Sequence, residues 1–290
     1  MSANTTSHEE RTAAQSRESG IELVKLRHIK SVNDTIRVMR LYSTQEDHPI
    51  KFVPGQWLDV FLPGLSKAGG FTITSTPREA IPTADEPAYL ELAIQKSRNP
   101  PARWLWQPID EILNQVIRVR VGGDFTWPPS RPAVSKVDRL VLIAGGVGIN
   151  PLISMLAHIM QGQRKENPRE VVFLYGTKAT GSPIDAQHIL FLPRLVRLLK
   201  EQSGSTSLHL KLFLTGSSSG ELHDAIGLPD DVTLGRIVKS DLDDSLGEVD
   251  KRGGTLCYVC GPQVMTDEFV EYLSHRPGMR PAQVLCEKWW

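Results

Sequence analysis

The sequence predicts two domains of different class, an antiparallel β-barrel or sandwich followed by an α/β domain on a doubly wound parallel sheet. Three observations carry that prediction. The chain has 290 residues, about two domains' worth at ~100–200 residues each. From Ile21 to Thr126, short alternating or β-branched runs are separated by Pro, Gly and Asn, the spacing of antiparallel strands. From Asp138 onward, buried-looking strands alternate with helical stretches, the pattern of parallel β–α–β units.

The elements follow in order. Residues 1–20 are polar, lack an apolar signal-peptide core and carry acids that suit no organelle presequence, so they read as a disordered leader. Residues 21–132 form the first domain, with strands expected over Asp34–Ser43, Gln56–Pro63, Phe71–Thr76, Tyr89–Gln95 and Val116–Gly122. The proline-rich stretch Thr126–Pro132 reads as a linker, and residues 133–290 form the second domain. Its expected elements are the strand RLVLIAG, a helix from Pro151, the strand Glu170–Gly176, a helix-like stretch Ile184–Lys200, and strands at Leu208–Thr215 and Thr255–Gly261. A helix from Gln263 to about His275 and the terminal QVLCEKWW close the chain, while the acidic stretch Asp241–Asp250 reads as a solvated loop or helix face.

Composition excludes several functions. Lys plus Arg number 33 against 33 Asp plus Glu, so no general field draws the chain to nucleic acid or anionic membrane, although a local basic patch stays open. Three cysteines are too few for a disulfide framework or a four-thiolate iron–sulfur cluster and point to a reducing compartment. The uncharged run Leu140–Met160 is broken by Gly145–Pro151, which argues against a membrane span.

Two strand-to-helix turns carry the chemistry. In Gly145-Gly146-Val147-Gly148-Ile149-Asn150-Pro151 the glycines allow positive φ and close approach of a phosphate, and N–H groups at the helix start bind anions. Asn150 suits an N-cap and Pro151 a first helical position, with Leu152, Leu156 and Ile159 facing the sheet. Pro151 stands where a GxGxxG fingerprint has its third glycine, so a glycine-rich turn with no ligand remains an equal alternative. The second turn, Cys257–Met265, contains a CxxC. Zinc needs two further ligands at suitable spacing, and the remaining cysteine, Cys286, is not part of a second pair. Positions three apart on a strand face opposite ways, which makes Cys257 a core residue and Cys260 the tip.

These pieces in this order resemble the ferredoxin-NADP reductase superfamily, in which a flavin-binding barrel precedes a nicotinamide-binding α/β domain. The resemblance covers Ile21–Trp290 and rests on four motifs. GGFTITSTP (Gly69–Pro77) is similar to the flavin motif, which implies flavin contacts from Phe71, Thr72, Ile73 and Thr74, with Thr72 near the flavin N5. Gly145–Pro151 is similar to the family's nicotinamide loop. Cys260, Gly261, Pro262 and Met265 are similar to its CGPxxM motif, whose Cys approaches the hydride-transfer site. Glu287-Lys288-Trp289-Trp290 is similar to its acidic residue and C-terminal aromatic, which makes Trp290 a flavin lid. The implied catalytic residues are Thr72, Cys260 and Glu287. The GGF motif with the EKWW terminus is nearest to members that are mitochondrial in animals, which implies that location; the cytoplasm is the alternative.

Departures from the family pattern bear on mechanism. Gly69 stands where the family places a flavin-phosphate arginine, which puts FAD in question, and Pro100–Pro101 replace the glycines of the second phosphate contact, with Arg103 as a compensating charge or a plain surface residue. After the second α/β strand, Thr177 and Lys178 stand where an acid for the ribose hydroxyls belongs, so NAD and NADP both remain open. The resemblance implies an FAD-dependent NAD(P)H oxidoreductase that passes a hydride from nicotinamide to flavin and electrons to an unidentified acceptor such as a small redox protein. The runner-up is a nucleotide-binding scaffold that does not turn over, favoured by Gly69 and the two prolines. Alone, each motif residue has a plain structural role open to it: Phe71 as a core aromatic, Thr72 and Thr74 as strand residues, Trp289 and Trp290 as an apolar tail.

Overall fold

The structure is a computed structural model and describes residues 7–45, 48–130, 134, 136–162, 167–179, 181–202 and 205–289. It divides into two compact units, residues 1–130 with the C-terminal Trp289, and residues 131–288. The expected boundary at 132/133 lies two residues further on, among residues outside the described set.

The first unit is an antiparallel six-stranded sheet built from β1 (Glu22–Asn33), β2 (Ile36–Ser43), β3 (Trp57–Phe61), β4 (Gly69–Thr72), β5 (Leu90–Gln95) and β6 (Val116–Gly122), in the order β4-β3-β6-β1-β2-β5. A bridge between Ile73 and Leu92 joins the two edge strands, so the sheet closes on itself. Closure removes the exposed edges that an open sheet would present. Two-residue alternation then decides which side chains fill the interior: Val24 and Leu26, Met39 and Leu41, Leu58 and Val60, Leu90, Leu92 and Ile94, and Val119 and Val121 are all buried in one cluster. The connection from β5 to β6 holds α2 (Pro100–Leu105) and α3 (Ile109–Ile112).

The leader is not disordered from Ser7 onward, which corrects the sequence-based expectation. A helix α1 (His8–Arg11) opens on a capping box between Ser7 and Glu10. His8 is buried, and a Cβ added to Gly70 would sit 2.1 Å from its imidazole. The strap continues along β6: Glu18 N–H donates to Val121 O at 2.9 Å and Gly123 N–H to Ser16 O at 2.9 Å. Beneath it Asp59, fully buried on β3, accepts from Arg17 Nε at 3.0 Å and Arg120 Nη2 at 2.6 Å and lies 3.1 Å from His8 Nε2. Burial alone would raise the Asp59 pKa, but the hydrogen bonds from His8, Arg120 and Arg17 outweigh it and hold the carboxyl down at about 2. A polar segment thus becomes ordered because a buried carboxylate on the barrel requires its cations.

The second unit is a parallel six-stranded sheet. In chain order it comprises β7 (Arg139–Gly145), α4 (Ile149–Gln161), β8 (Glu170–Lys178), α5 (Leu192–Lys200), β9 (Ser207–Thr215), α6 (Ser219–His223), β10 (Val232–Leu234), α7 (Lys239–Leu246), β11 (Thr255–Cys260), α8 (Gln263–Ser274) and β12 (Val284–Glu287). Its order β10-β9-β8-β7-β11-β12 reverses direction after β7, and the carboxyl ends of strands at such a switch are where open α/β sheets bind ligands. The sheet is buried on both faces, and Leu140 to Ala144 are 0% exposed. The acidic stretch expected as solvated is partly α7, in which Asp241 is buried and pairs with Lys211 Nζ at 2.7 Å. Among the described residues no helix is long and apolar enough to cross a membrane.

Candidate functional site

β7 ends at Gly145, a single 3-10 turn covers Gly146–Gly148, and α4 begins at Ile149. The N-cap is therefore Gly148, not Asn150, and Asn150 and Pro151 lie inside the first turn, both buried. Because the 3-10 turn leads straight into it, α4 starts two residues earlier than the proline rule predicts.

The glycines of this loop have different reasons. A Cβ on Gly148 would stand 2.2 Å from Cys260 O, one on Gly145 2.7 Å from Met265 Sδ and Pro262 Cδ, and one on Gly261 2.4 Å from Met265 Cε. Those three let the β7–α4 and β11–α8 loops pack backbone against backbone. Gly146 differs: its φ is +54° and a Cβ there would have nothing within 4 Å. Gly146 and Val147 are also the half-exposed members of the loop. The space a phosphate needs is therefore at Gly146.

Beside it lies a cavity of about 420 Å³, lined by Gly145 and Gly146, by Gly176, Thr177 and Lys178 at the end of β8, by Thr215 of β9, by Gly235–Ile237 after β10, and by Pro262, Val264, Met265, Glu268 and Phe269 of the α8 region. Both helices at its edge, α4 and α8, start without a side-chain cap and without an acid in the first turn. Their orphan N–H groups and positive dipole ends favour an anion. Lys178 and Arg236 both line the cavity. The sequence reading found Thr177 and Lys178 but missed Thr215, Arg236 and Glu268. β10 is only three residues long, too short for alternation to register, and Arg236 follows it.

Cys260 and Glu287 stand opposite each other in register on β11 and β12, so two of the three expected catalytic residues are neighbours. Both are buried. The expected contrast between Cys257 and Cys260 is not present, because both are 0% exposed; β11 is covered on both faces. Burial pushes the Cys257 thiol up to about 12, which suits a packing residue. Among the described residues no cluster of three His, Cys, Asp or Glu could hold a metal.

On the barrel, Thr72 is buried and pairs with Trp57 across β3 and β4, while Phe71 is half-buried against the interior cluster, against which Trp104 and Trp106 also pack. Ile73 and Thr74 are fully buried and belong to the barrel closure: Thr74 N–H donates to Glu91 O at 2.8 Å and its hydroxyl to Glu91 Oε1 at 3.0 Å. Of the four expected flavin contacts, Phe71 keeps the open surface. Trp290, the expected lid, lies outside the described residues; Trp289 stacks on His8 with ring centroids 5.9 Å apart.

A flavin diphosphate does not fit the stretch that the resemblance assigns to it. A Cβ on Gly69 would meet Pro101 Cβ at 2.4 Å and Phe71 Cε2 at 2.7 Å, so no side chain can stand there. Pro100 and Pro101 occupy the first two positions of α2 and Asn99 makes no side-chain cap. Proline has no N–H, which leaves Ala102 alone to donate among the first three helical positions.

An antiparallel barrel followed by a parallel nucleotide-type sheet with its cavity at the switch point defines an oxidoreductase fold of the ferredoxin-NADP reductase type. Residues 142–271 match the family model described as Oxidoreductase NAD-binding domain. The human protein named Oxidoreductase NAD-binding domain-containing protein 1 is 34% identical over 289 residues, covering 98% of this chain and 85% of the relative, and the chain belongs to that family. Among solved structures, a ferredoxin NADP+ reductase from Neisseria gonorrhoeae with bound FAD and NADP superposes with a TM-score of 0.66 at 15% identity, covering 94% of this chain and 100% of that one. A flavohemoglobin from Malassezia yamatoensis with bound FAD and heme reaches 0.68 at 17% identity, covering 96% of this chain and 62% of that one.

Proposed function

We propose that the chain is an NAD(P)H oxidoreductase that works with a flavin and hands electrons to a separate acceptor such as a small redox protein, in mitochondria by the resemblance of its motifs. The observation that carries the reading is the second-unit cavity, where Gly146 faces open space between two helix starts that lack caps. A bound nicotinamide would supply a hydride and a bound flavin would supply the group that accepts it. The N–H groups at the starts of α4 and α8 hold the pyrophosphate. Lys178 and Arg236 would meet the adenosine end, and Cys260 and Glu287, paired in register at the strand ends, would serve the nicotinamide end. Pro262 and Met265 give the cavity an apolar wall. Phe71 supplies the aromatic surface for the flavin.

Titrating NADH and NADPH against the purified protein by nicotinamide fluorescence tests this. Micromolar binding of at least one is expected, weakened about tenfold or more, ~1.4 kcal/mol, in Gly146→Val, where a β-branched side chain must adopt positive φ. No binding of either nucleotide would overturn the reading.

A further inference from the structure

We propose that this protein takes flavin as an exchangeable substrate, so that the reaction it completes by itself is the reduction of free flavin by NAD(P)H. The proposal rests on the NAD(P)H oxidoreductase reading above and deepens it by naming the first acceptor. What separates a resident flavin nucleotide from a passing one is its phosphate groups, which proteins hold with cationic forks and N–H donors. Here both devices are lacking. Gly69 has no side chain and no room for one, since Pro101 and Phe71 fill the space. The two prolines at the start of α2 remove the N–H groups that a helix start would offer, and the Asn99 N–H is directed at Ser97 Oγ, 3.4 Å away.

Four cations of the barrel are engaged with groups of its own. Arg37 donates to the Gln107 carbonyl at 2.8 Å and stacks over Trp106 at 4.4 Å. Lys96 lies over the same ring at 5.3 Å. Arg17 and Arg120 are committed to Asp59. Arg98, just before α2, and Arg103, on it, are exposed, flexible side chains and not a fork held in place on a strand. What the barrel does offer is aromatic: Phe71 and Trp104 are each partly buried, with surface left over. A ring can stack there, but a phosphate tail gains nothing.

The reaction balances as NAD(P)H + flavin + H⁺ → NAD(P)⁺ + dihydroflavin. The nicotinamide C4–H bond breaks with its electron pair, an N5–H bond forms on the flavin, and flavin N1 takes a proton from solvent. The nicotinamide is oxidised and the flavin reduced by two electrons, and the reduced flavin leaves as the product.

The test uses the full chain. Protein loaded with FAD is passed through gel filtration, and equilibrium dissociation constants are then measured for riboflavin, FMN and FAD, together with NADH and NADPH binding on the same preparation. Flavin is expected to be lost from the column, with the three constants agreeing within about threefold and free flavin reduced by whichever nucleotide binds. Stoichiometric FAD surviving the column, or FAD binding more than about tenfold tighter than riboflavin, would overturn the proposal. If no flavin binds while a nicotinamide nucleotide does, the proposal falls and the nucleotide site of the parent reading stands; if no nicotinamide nucleotide binds, both fall. The double variant Gly69→Arg/Pro101→Gly opens the space and adds the fork. It is expected to favour FAD over riboflavin by about tenfold or more, and a folded double variant with no such preference would count against the proposal.

Discussion

Gly146 and Gly148 sit two residues apart in one turn, and a methyl group meets a different obstacle at each. At Gly148 it would land 2.2 Å from the Cys260 carbonyl, a backbone atom of a buried strand, so Gly148→Ala is expected to cost about 1–3 kcal/mol of stability. At Gly146 the space is open and only the φ of +54° resists, for about 1 kcal/mol. Urea denaturation of the two variants checks the order, and equal losses would mean that the two loops do not pack as closely as described. Asp59 gives a pH prediction. Its folded pKa of about 2 lies below the ordinary 3.8, so its stabilisation is complete above pH ~4 and is lost as the pH falls from there toward 2. At ~1.4 kcal/mol per unit that is about 2–3 kcal/mol. Asp59→Asn is expected to melt well below the parent at pH 7, with the gap narrowing between pH 4 and 2; a constant gap would show that the charge is not what stabilises.

At the scale of elements, the N-terminal strap is the test of how a polar segment becomes ordered. Trp57 is 0% exposed, its indole N–H donates to Gln15 Oε1 at 2.9 Å, and the Arg17 guanidinium lies over its ring at 4.9 Å. Deleting residues 1–17 uncovers that indole and strips Asp59 of both Arg17 and His8, which is expected to cost about 3–5 kcal/mol. Thermal melting followed by near-ultraviolet circular dichroism measures it, and an unchanged midpoint would return the segment to the disordered reading. Read as sequence, the segment is polar and lacks periodicity. Its order comes from a surface on β3 and β6, some forty to a hundred positions along the chain, which no local pattern encodes.

The whole molecule divides into two compact units after Ser130. Lys136 has a side chain 55% exposed, whereas Leu140–Ala144 are fully buried and paired on both sides by β8 and β11. Native digestion with the broad-specificity protease proteinase K is expected to cut first between Ser130 and Asp138, giving two protease-resistant pieces. Even nicking through Val141–Gly146, resolved by mass spectrometry, would argue against separately folding units.

The sequence by itself determined the order and type of the main strands, the two-domain division, and both strand-to-helix turns. Those features are written in period-2 alternation, in long apolar runs and in the backbone freedom of glycine, all of which act over a few residues. Tertiary structure alone decided that Ile73 and Thr74 close the barrel against Leu92 and Glu91, that three of the four glycines serve loop packing while Gly146 stays open, that Arg236 joins Lys178 in one cavity, and that Pro101 fills the place beside Gly69. Each of these is a contact between backbones or side chains far apart in the chain, and close approach of that kind is fixed by how the elements pack.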